Sequence, residues 1–472
     1  MAARGDAREP GGHAQRPPGR PGQALSPGGG GHPATSDLGR DLPLGVERSL
    51  ARPRAAIVVT GSELVRGERS DLNGPFLARE LVSRGLEPSR ITIVGDRPDE
   101  LESALRDGLG HDLCVVSGGL GPTHDDRTVE MLARAAGLPL AVDRSLREEI
   151  EAASRATAAR LRRPYADFEA GVIKQAMLPA GALSLGLAGT APGLVARTEG
   201  AVVVLLPGPP AELRRLWPRA LDSEPVREIL SRARPPRRYI LRFYGASESA
   251  VARALEEAGG EGEGVEVTIC ARDFEIHVDL LVEPGAEERG ERLAAQLGQA
   301  LSPYLFAQDE RPVEEIVVAL CRSQGLTLVT AESCTGGLVA SRLTSIPGAS
   351  AVFLGSIVAY ADSVKERELG VPPDILRRQG AVSAETAAAM ASGARSRLGA
   401  DVSLAVTGIA GPGGGTPEKP VGLVYLHAET PTASKGVELT YPADRESIRR
   451  RAAVAGLHLL RRLLTQSGDE PV

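Results

Sequence analysis

"TLVTAESCTGGLVASRL", Thr327 to Leu343, decides how the second half of the chain is read. It opens on an apolar, β-branched run of strand length, and "LVASRL" resumes with helical spacing. A strand therefore hands over to a helix across the turn "ESCTGG". That handover is the repeating unit of a mostly parallel sheet covered by helices. The same alternation continues on either side. "VEEIVVALCRSQG" reads as a helix, "AVFLGSIVAY" as a strand and "SAETAAAMASGARSRLG" as a helix. "DVSLAVTGIAGPGGG" is a strand running into a glycine loop, "PVGLVYLHAE" a further strand, and the basic "DRESIRRRAAVAGLHLLRRLL" a closing helix.

The first half repeats the class without a shared period. "AAIVVTGSEL" is a buried-strand run, "DLNGPFLARELVSRG" a helix closed by a glycine at Gly85, and "ITIVGD" a strand. "PDELESALRDGLG" is a helix, "DLCVVSGGLGPTHDD" a strand entering a glycine loop, and "RTVEMLARAAG" a helix. Between the halves, "RRYILRFYGASESAVARALEEAGG" and "VEVTICARDFEIHVDLLVEPG" suggest a small α+β unit, read as a spacer or dimerisation domain. Residues 1–53 are rich in Gly, Pro and Arg and cannot bury enough apolar surface to offset chain entropy, so disorder is expected there. The expected fold class is α/β. Two three-layer α/β/α domains with mostly parallel sheets (54–225 and 310–468) are joined by an α+β middle domain (236–306).

Bulk properties exclude several functions. With 472 residues, 42% apolar and 25% charged, the chain is an ordinary soluble multidomain protein. A net charge of −6 and a pI near 5.8 argue against wholesale nucleic-acid binding. The four cysteines (Cys114, Cys270, Cys321, Cys334) form no CxxC pair, which suits a reducing cytoplasm and offers no zinc site. No apolar run approaches membrane-spanning length, and no secretory signal is apparent at the N-terminus. A cytoplasmic protein contacting neither membrane nor nucleic acid is expected, and the middle unit, read as a dimerisation domain, would make it a homodimer.

Chemistry concentrates where strands end, because parallel sheets hold ligands beyond the carboxyl ends of their strands. Ser333 stands at one such end. Tyr360, with Lys365 five residues on, and Thr407 stand at two others. A serine beside a Lys or Tyr is an alternative to the Ser–His–Asp arrangement, and burial lowers a lysine pKa toward a working base. On spacing alone the alternatives stay open. On local pattern Ser333 reads more readily as an N-cap, Lys365 equally as a solvated helix lysine, and Cys334 more readily as a small buried residue with no activating His.

Five motifs in order, "AESCTGG", "SIVAYADSVKERELGV", "GAVSAETAAAMA", "AVTGIAGPGGG" and "KPVGLVY", resemble the CinA C-terminal domain, the PncC-type nicotinamide-nucleotide amidohydrolases. The resemblance implies that Ser333 is the nucleophile, with Tyr360, Lys365 and Thr407 as catalytic partners, so Lys365 or Tyr360 should lie within hydrogen-bond reach of Ser333 Oγ. It implies that Glu332, Cys334, Thr335, Gly336, Gly337, Gly408 and Gly411 surround the substrate, with backbone N–H groups at 334–337 holding the oxyanion. An arginine of the last helix would meet the phosphate, best matched by Arg449, with Arg445 and Arg451 as competitors. The implied reaction hydrolyses nicotinamide mononucleotide to nicotinate mononucleotide and ammonia, without a metal.

In the first half, the consecutive glycines of "SGGLGPTHDDRT" expose backbone N–H groups suited to a phosphate. Asp125 and Asp126, with Asp96 at another strand end, could hold a hard divalent cation. The same aspartates could simply cap a helix. "GSELVRGERSDLNGPFLARELVSRGLEPSRITIVGD" and the glycine loop resemble the CinA N-terminal domain, akin to molybdopterin-binding proteins of the MoaB and MogA type. Some members of that family hydrolyse ADP-ribose with a divalent metal. The resemblance implies a nucleotide site of Glu63, Asn73, Gly118, Gly119, Gly121, Thr123 and Lys174, with a cation of the Mg, Mn or Co class at Asp96, Asp125 and Asp126. Two departures stand out: Ser62 replaces a usual Thr, and no Asn accompanies Gly186. The alternatives are a molybdopterin-type binding protein without turnover at the first site, or a competence- or DNA-damage-associated protein.

Overall fold

The computed structural model describes residues 52–189 and 191–465. The stretch read as disordered falls outside the described residues up to position 51, as do Thr190 and the last residues of the 310–468 range.

The first sheet has six strands, in the spatial order Glu87–Val94, Arg54–Thr60, Leu113–Ser117, Val202–Leu206, Pro192–Arg197 and Leu183–Leu187. The first four are mutually parallel, Pro192–Arg197 runs against them, and Leu183–Leu187 reverses direction again. Alternating side chains of the central strands enter opposite cores. Ile57, Val59, Leu113 and Val115 pack on one face, and Val58, Cys114 and Val116 on the other. Each fully buried Val or Leu contributes about 1.5–3 kcal/mol, so a strand covered on both faces is the most stabilising place for such a run. Helices Arg144–Leu161 and Ala166–Gln175, which no strong apolar period marks in the sequence, add an outer layer.

The middle unit is four antiparallel strands in the order Val265–Arg272, Glu275–Val282, Arg237–Phe243 and Leu305–Ala307. Helices Glu248–Glu257 and Glu287–Ala300 supply residues to the same core as these strands. In chain order this is β-α-β-β-α-β.

The last sheet runs Phe353–Val358, Leu328–Glu332, Val402–Gly408, Leu423–Glu429 and Ser434–Thr440. Its first three strands are parallel, so Glu332, Val358 and Gly408 end on one edge. The remaining two are antiparallel. Ser434–Thr440 escapes a sequence reading because it is an outer strand of alternating exposed and half-buried positions with no apolar run. Leu404 and Val406 face one core and Ala405 the other, which again makes three layers. The terminal helix, Arg445–Leu464, is buried along most of its length, including His458, Arg461 and Arg462. Its cover comes partly from the middle unit, whose Tyr244 and Phe306 pack into the same core.

Candidate active site and a second ligand cavity

The turn after Leu328–Glu332 is built by Glu332 itself. Its side chain is fully buried and accepts from three backbone N–H groups at the start of helix Leu338–Thr344: Gly337 at 2.9 Å, Val339 at 3.1 Å and Ala340 at 2.9 Å. A carboxylate here satisfies orphan donors and complements the helix dipole. Glu332 is therefore engaged with the protein rather than turned to a substrate. Gly336 and Gly337 have φ of 59° and 96°, left-handed values that a side chain resists.

Ser333 follows, buried, with its N–H bonded to the Val406 carbonyl at 2.9 Å, so the parallel neighbour strand fixes its position. Its hydroxyl has no hydrogen-bond partner among the described residues. Of the four N–H groups expected to hold an oxyanion, two are already used. Gly336 donates to the Ser333 carbonyl at 3.1 Å and Gly337 to Glu332. Those of Cys334 and Thr335 face the Cys334 sulfur, a weak acceptor from which a developing oxyanion beside Ser333 could take them.

Lys365 is 1% exposed. Burial lowers its ammonium pKa, which the Asp362 carboxylate only partly restores, and Cys334 and Tyr360 also act on it electrostatically. Its Nζ donates to the Tyr360 carbonyl at 3.3 Å and lies 3.6 Å from Asp362. The expectation that Lys365 or Tyr360 hydrogen-bonds Ser333 Oγ is not met. The Tyr360 side chain is 60% exposed, and its phenol oxygen accepts from Arg445 at 2.8 Å. Cys334 is a buried thiol whose pKa burial pushes up to about 12, which keeps it protonated and inert. Thr407 is also turned away from the edge, donating to the Ala381 carbonyl at 2.7 Å. Its neighbour Gly408 lies where a Cβ would come within 2.8 Å of the Leu423 carbonyl, so only glycine fits the strand pairing.

The arginines separate by role. Arg449 donates from Nε to the Cys334 carbonyl at 3.1 Å and from Nη2 to the Thr335 carbonyl at 3.0 Å. It holds the nucleophile turn instead of facing a phosphate. Arg445 is exposed and bridges the Gly411 carbonyl at 2.6 Å to the Tyr360 hydroxyl, which places a cation beside the glycine loop. Arg451 lies over the rings of Phe274 and Tyr441. Sequence reasoning missed Lys419, the lysine of "KPVGLVY". It donates to the carbonyls of Gln379 and Val382 and so fastens the glycine loop.

In the first unit, Glu63, Asp96, Gly118, Gly119, Gly121, Asp125 and Asp126 line a cavity of about 300 Å³ at the carboxyl ends of the parallel strands. A neighbouring apolar cavity of about 180 Å³ includes Lys174 with Gly119, Gly121 and Asp126. Gly118 and Gly119 have φ of 106° and 67°, the backbone the loop requires. Asn73 lies in neither lining. It is buried, and its amide donates to Ser117 Oγ at 2.9 Å and the Gly208 carbonyl at 2.7 Å. The three expected metal-binding aspartates do not converge. Asp96 accepts from Thr60 Oγ1, Ser62 N and Ser62 Oγ, and Asp126 accepts from the backbone N–H and hydroxyl of Thr123. Among the described residues no group of three His, Cys, Asp or Glu side chains could hold a metal. Lys174 donates to the Thr123 carbonyl. Ser62 supplies the hydroxyl that Thr would, and Gly186 has φ 74°, a left-handed position that Asn and Gly both tolerate.

Known proteins match this arrangement along most of the chain. Residues 310–464 match the family model of the CinA C-terminal domain, and residues 56–224 that of a probable molybdopterin binding domain. A CinA-like protein of Mycolicibacterium paratuberculosis is 41% identical over 432 residues, covering 88% of this chain and 99% of the relative. One from Mycobacterium tuberculosis (strain H37Rv) is 42% identical over 432 residues, covering 89% and 99%. The crystal structure of the competence/damage inducible protein CihA from Agrobacterium tumefaciens is 41% identical, covering 34% of this chain and 100% of that one with a TM-score of 0.32. No helix among the described residues is long and apolar enough to cross a membrane. With its molybdopterin-binding-like domain, its C-terminal domain and relatives matched end to end, the chain belongs to the CinA-like family.

Proposed function

We propose that the C-terminal domain hydrolyses the carboxamide of nicotinamide mononucleotide, releasing ammonia and nicotinate mononucleotide. The observation that carries the reading is Lys365: a buried lysine with a lowered pKa, on the same sheet edge as a serine whose hydroxyl has no partner among the described residues. Ser333 Oγ attacks the amide carbon and its proton passes to Lys365 in the deprotonated form that burial makes more accessible. The developing oxyanion is held by the N–H groups of Cys334 and Thr335. Lys365 returns the proton to the departing ammonia, and water then hydrolyses the nicotinoyl ester. Hydrogen bonds of this kind commonly tighten only when substrate is bound, which accommodates the present positions of Lys365 and Ser333. Arg445, rather than Arg449, is the cation we assign to the phosphate. Purified Ser333→Ala should keep its fold and lose ammonia release from nicotinamide mononucleotide. Retained deamidation would overturn the assignment.

For the first domain, a glycine loop at the mouth of a cavity suits a phosphate-bearing ligand, whether ADP-ribose or a molybdopterin-type pterin. Asp96 and Asp126 line this cavity held by Ser62 and Thr123, and among the described residues no three carboxylates come together as a metal site. That observation favours binding without turnover, the second reading. AMP formation from ADP-ribose on addition of Mg²⁺, Mn²⁺ or Co²⁺ would reverse the preference.

A further inference from the structure

The terminal helix Arg445–Leu464 touches the nucleophile turn through Arg449, and it meets the middle unit through Arg450, Arg451, His458, Arg461 and Arg462. Arg449 fixes the Cys334 carbonyl, and the Thr335 N–H belongs to that same peptide plane. Whatever holds Arg449 therefore aims one of the two oxyanion donors.

The next two residues of the helix are gripped by the tip of a middle-unit hairpin. Arg450 pairs with Asp273 at 2.6 Å, and the Arg451 guanidinium lies 4.7 Å from the centre of the Phe274 ring. Asp273 and Phe274 form the two-residue turn between strands Val265–Arg272 and Glu275–Val282, with φ of 49° and 67°. Both positions favour Asn, Asp or Gly, and an aromatic residue at the second is strained. A strained residue persists where its side chain is held by something else. Here the Phe274 ring carries the contact to the helix. Further along, Glu275 accepts from His458 at 2.7 Å, and Tyr244 stacks on the His458 ring at 3.8 Å. Burial lowers the His458 pKa to about 4, so the imidazole donates to Glu275 as a neutral group.

We propose that the middle unit is a clamp, in which the Asp273–Phe274 hairpin tip holds the terminal helix so that Arg449 keeps the Thr335 N–H aimed at the oxyanion. Phe274 is thus a positioning residue for the reaction of a different domain. This rests on the amidohydrolase reading above.

The test uses the full chain carrying Phe274→Gly, which relaxes the turn and removes the ring contacts to Arg450 and Arg451, with Phe274→Tyr as the conservative variant. Hydrogen exchange is followed at residues 333–337 and 445–452, and kcat and KM are measured for nicotinamide mononucleotide. We expect exchange to rise at both segments in Phe274→Gly and kcat to fall about five- to tenfold, with KM and melting temperature held. Phe274→Tyr should restore both. Unchanged exchange at 333–337 would overturn the clamp, as would an unchanged kcat or a loss of kcat matched by a fall in KM. If the wild-type chain releases no ammonia, the amidohydrolase reading has failed, and the exchange measurement alone then judges the clamp.

Discussion

Replacing Glu332 tests whether the nucleophile turn is held by a buried carboxylate or whether that carboxylate serves the substrate. Glu332→Ala removes a fully buried carboxylate that accepts three backbone N–H bonds of 2.9, 3.1 and 2.9 Å. Hydrogen bonds to a charged group contribute about 1.5–3 kcal/mol each, and their losses are not additive within one network. The freed N–H groups of Gly337 and Ala340 are partly accessible to water, whereas that of Val339 is buried. The expected cost is about 3–5 kcal/mol, close to that of breaking a buried ion pair. Glu332→Gln keeps one acceptor oxygen but turns an NH₂ group toward donors, and about half of that loss is expected. Urea denaturation with the slope unchanged measures both. A loss below about 1 kcal/mol for Glu332→Ala would refute the reasoning. So would a Glu332→Gln protein of wild-type stability whose only defect is a raised KM, because that pattern belongs to a substrate contact.

The Lys365 base gives a pH limb of defined sign. Its pKa is lowered by burial, so activity should rise with pH through an apparent pKa below the ordinary 10.5, and Lys365→Met should abolish that limb in a pH–kcat profile. Between the lowered folded value and 10.5 the unfolded chain holds the extra proton, so stability should also rise with pH across that window. For the thiols, burial pushes Cys114, Cys321 and Cys334 each to about 12, while Cys270 is exposed. Native protein at pH 8 should therefore titrate one thiol quickly with a disulfide reagent, and four after denaturation. Rapid modification of Cys334 in the folded chain would contradict its burial.

How much of this was legible in advance differs by element. The central strands announce themselves as unbroken apolar runs because both faces are covered, as at "AAIVVT" and "VVVLL". Ser434–Thr440 does not, since an outer strand obeys a weaker pattern. "LHLLRRLL" reads only as the end of a basic closing helix, yet Arg461 and Arg462 are buried against rings of the middle unit. Only a neighbour far along the chain could make that burial favourable.

Local chemistry by itself determines that a strand, a glycine turn and a helix meet at Ser333, and that strand ends at 332, 358 and 408 share an edge once the sheet is parallel. Those outcomes follow from backbone periodicity and from glycine's freedom at positive φ, properties of short stretches of chain. The roles of the polar side chains were decided by tertiary structure. Glu332 caps a helix, Thr407 ties a turn, Asn73 braces a strand end, Arg449 holds two carbonyls and Asp126 folds back on Thr123. A polar residue in a motif has several partners open to it. The choice among them depends on which donors and acceptors folding leaves within 3 Å, and no spacing along the chain contains that distance.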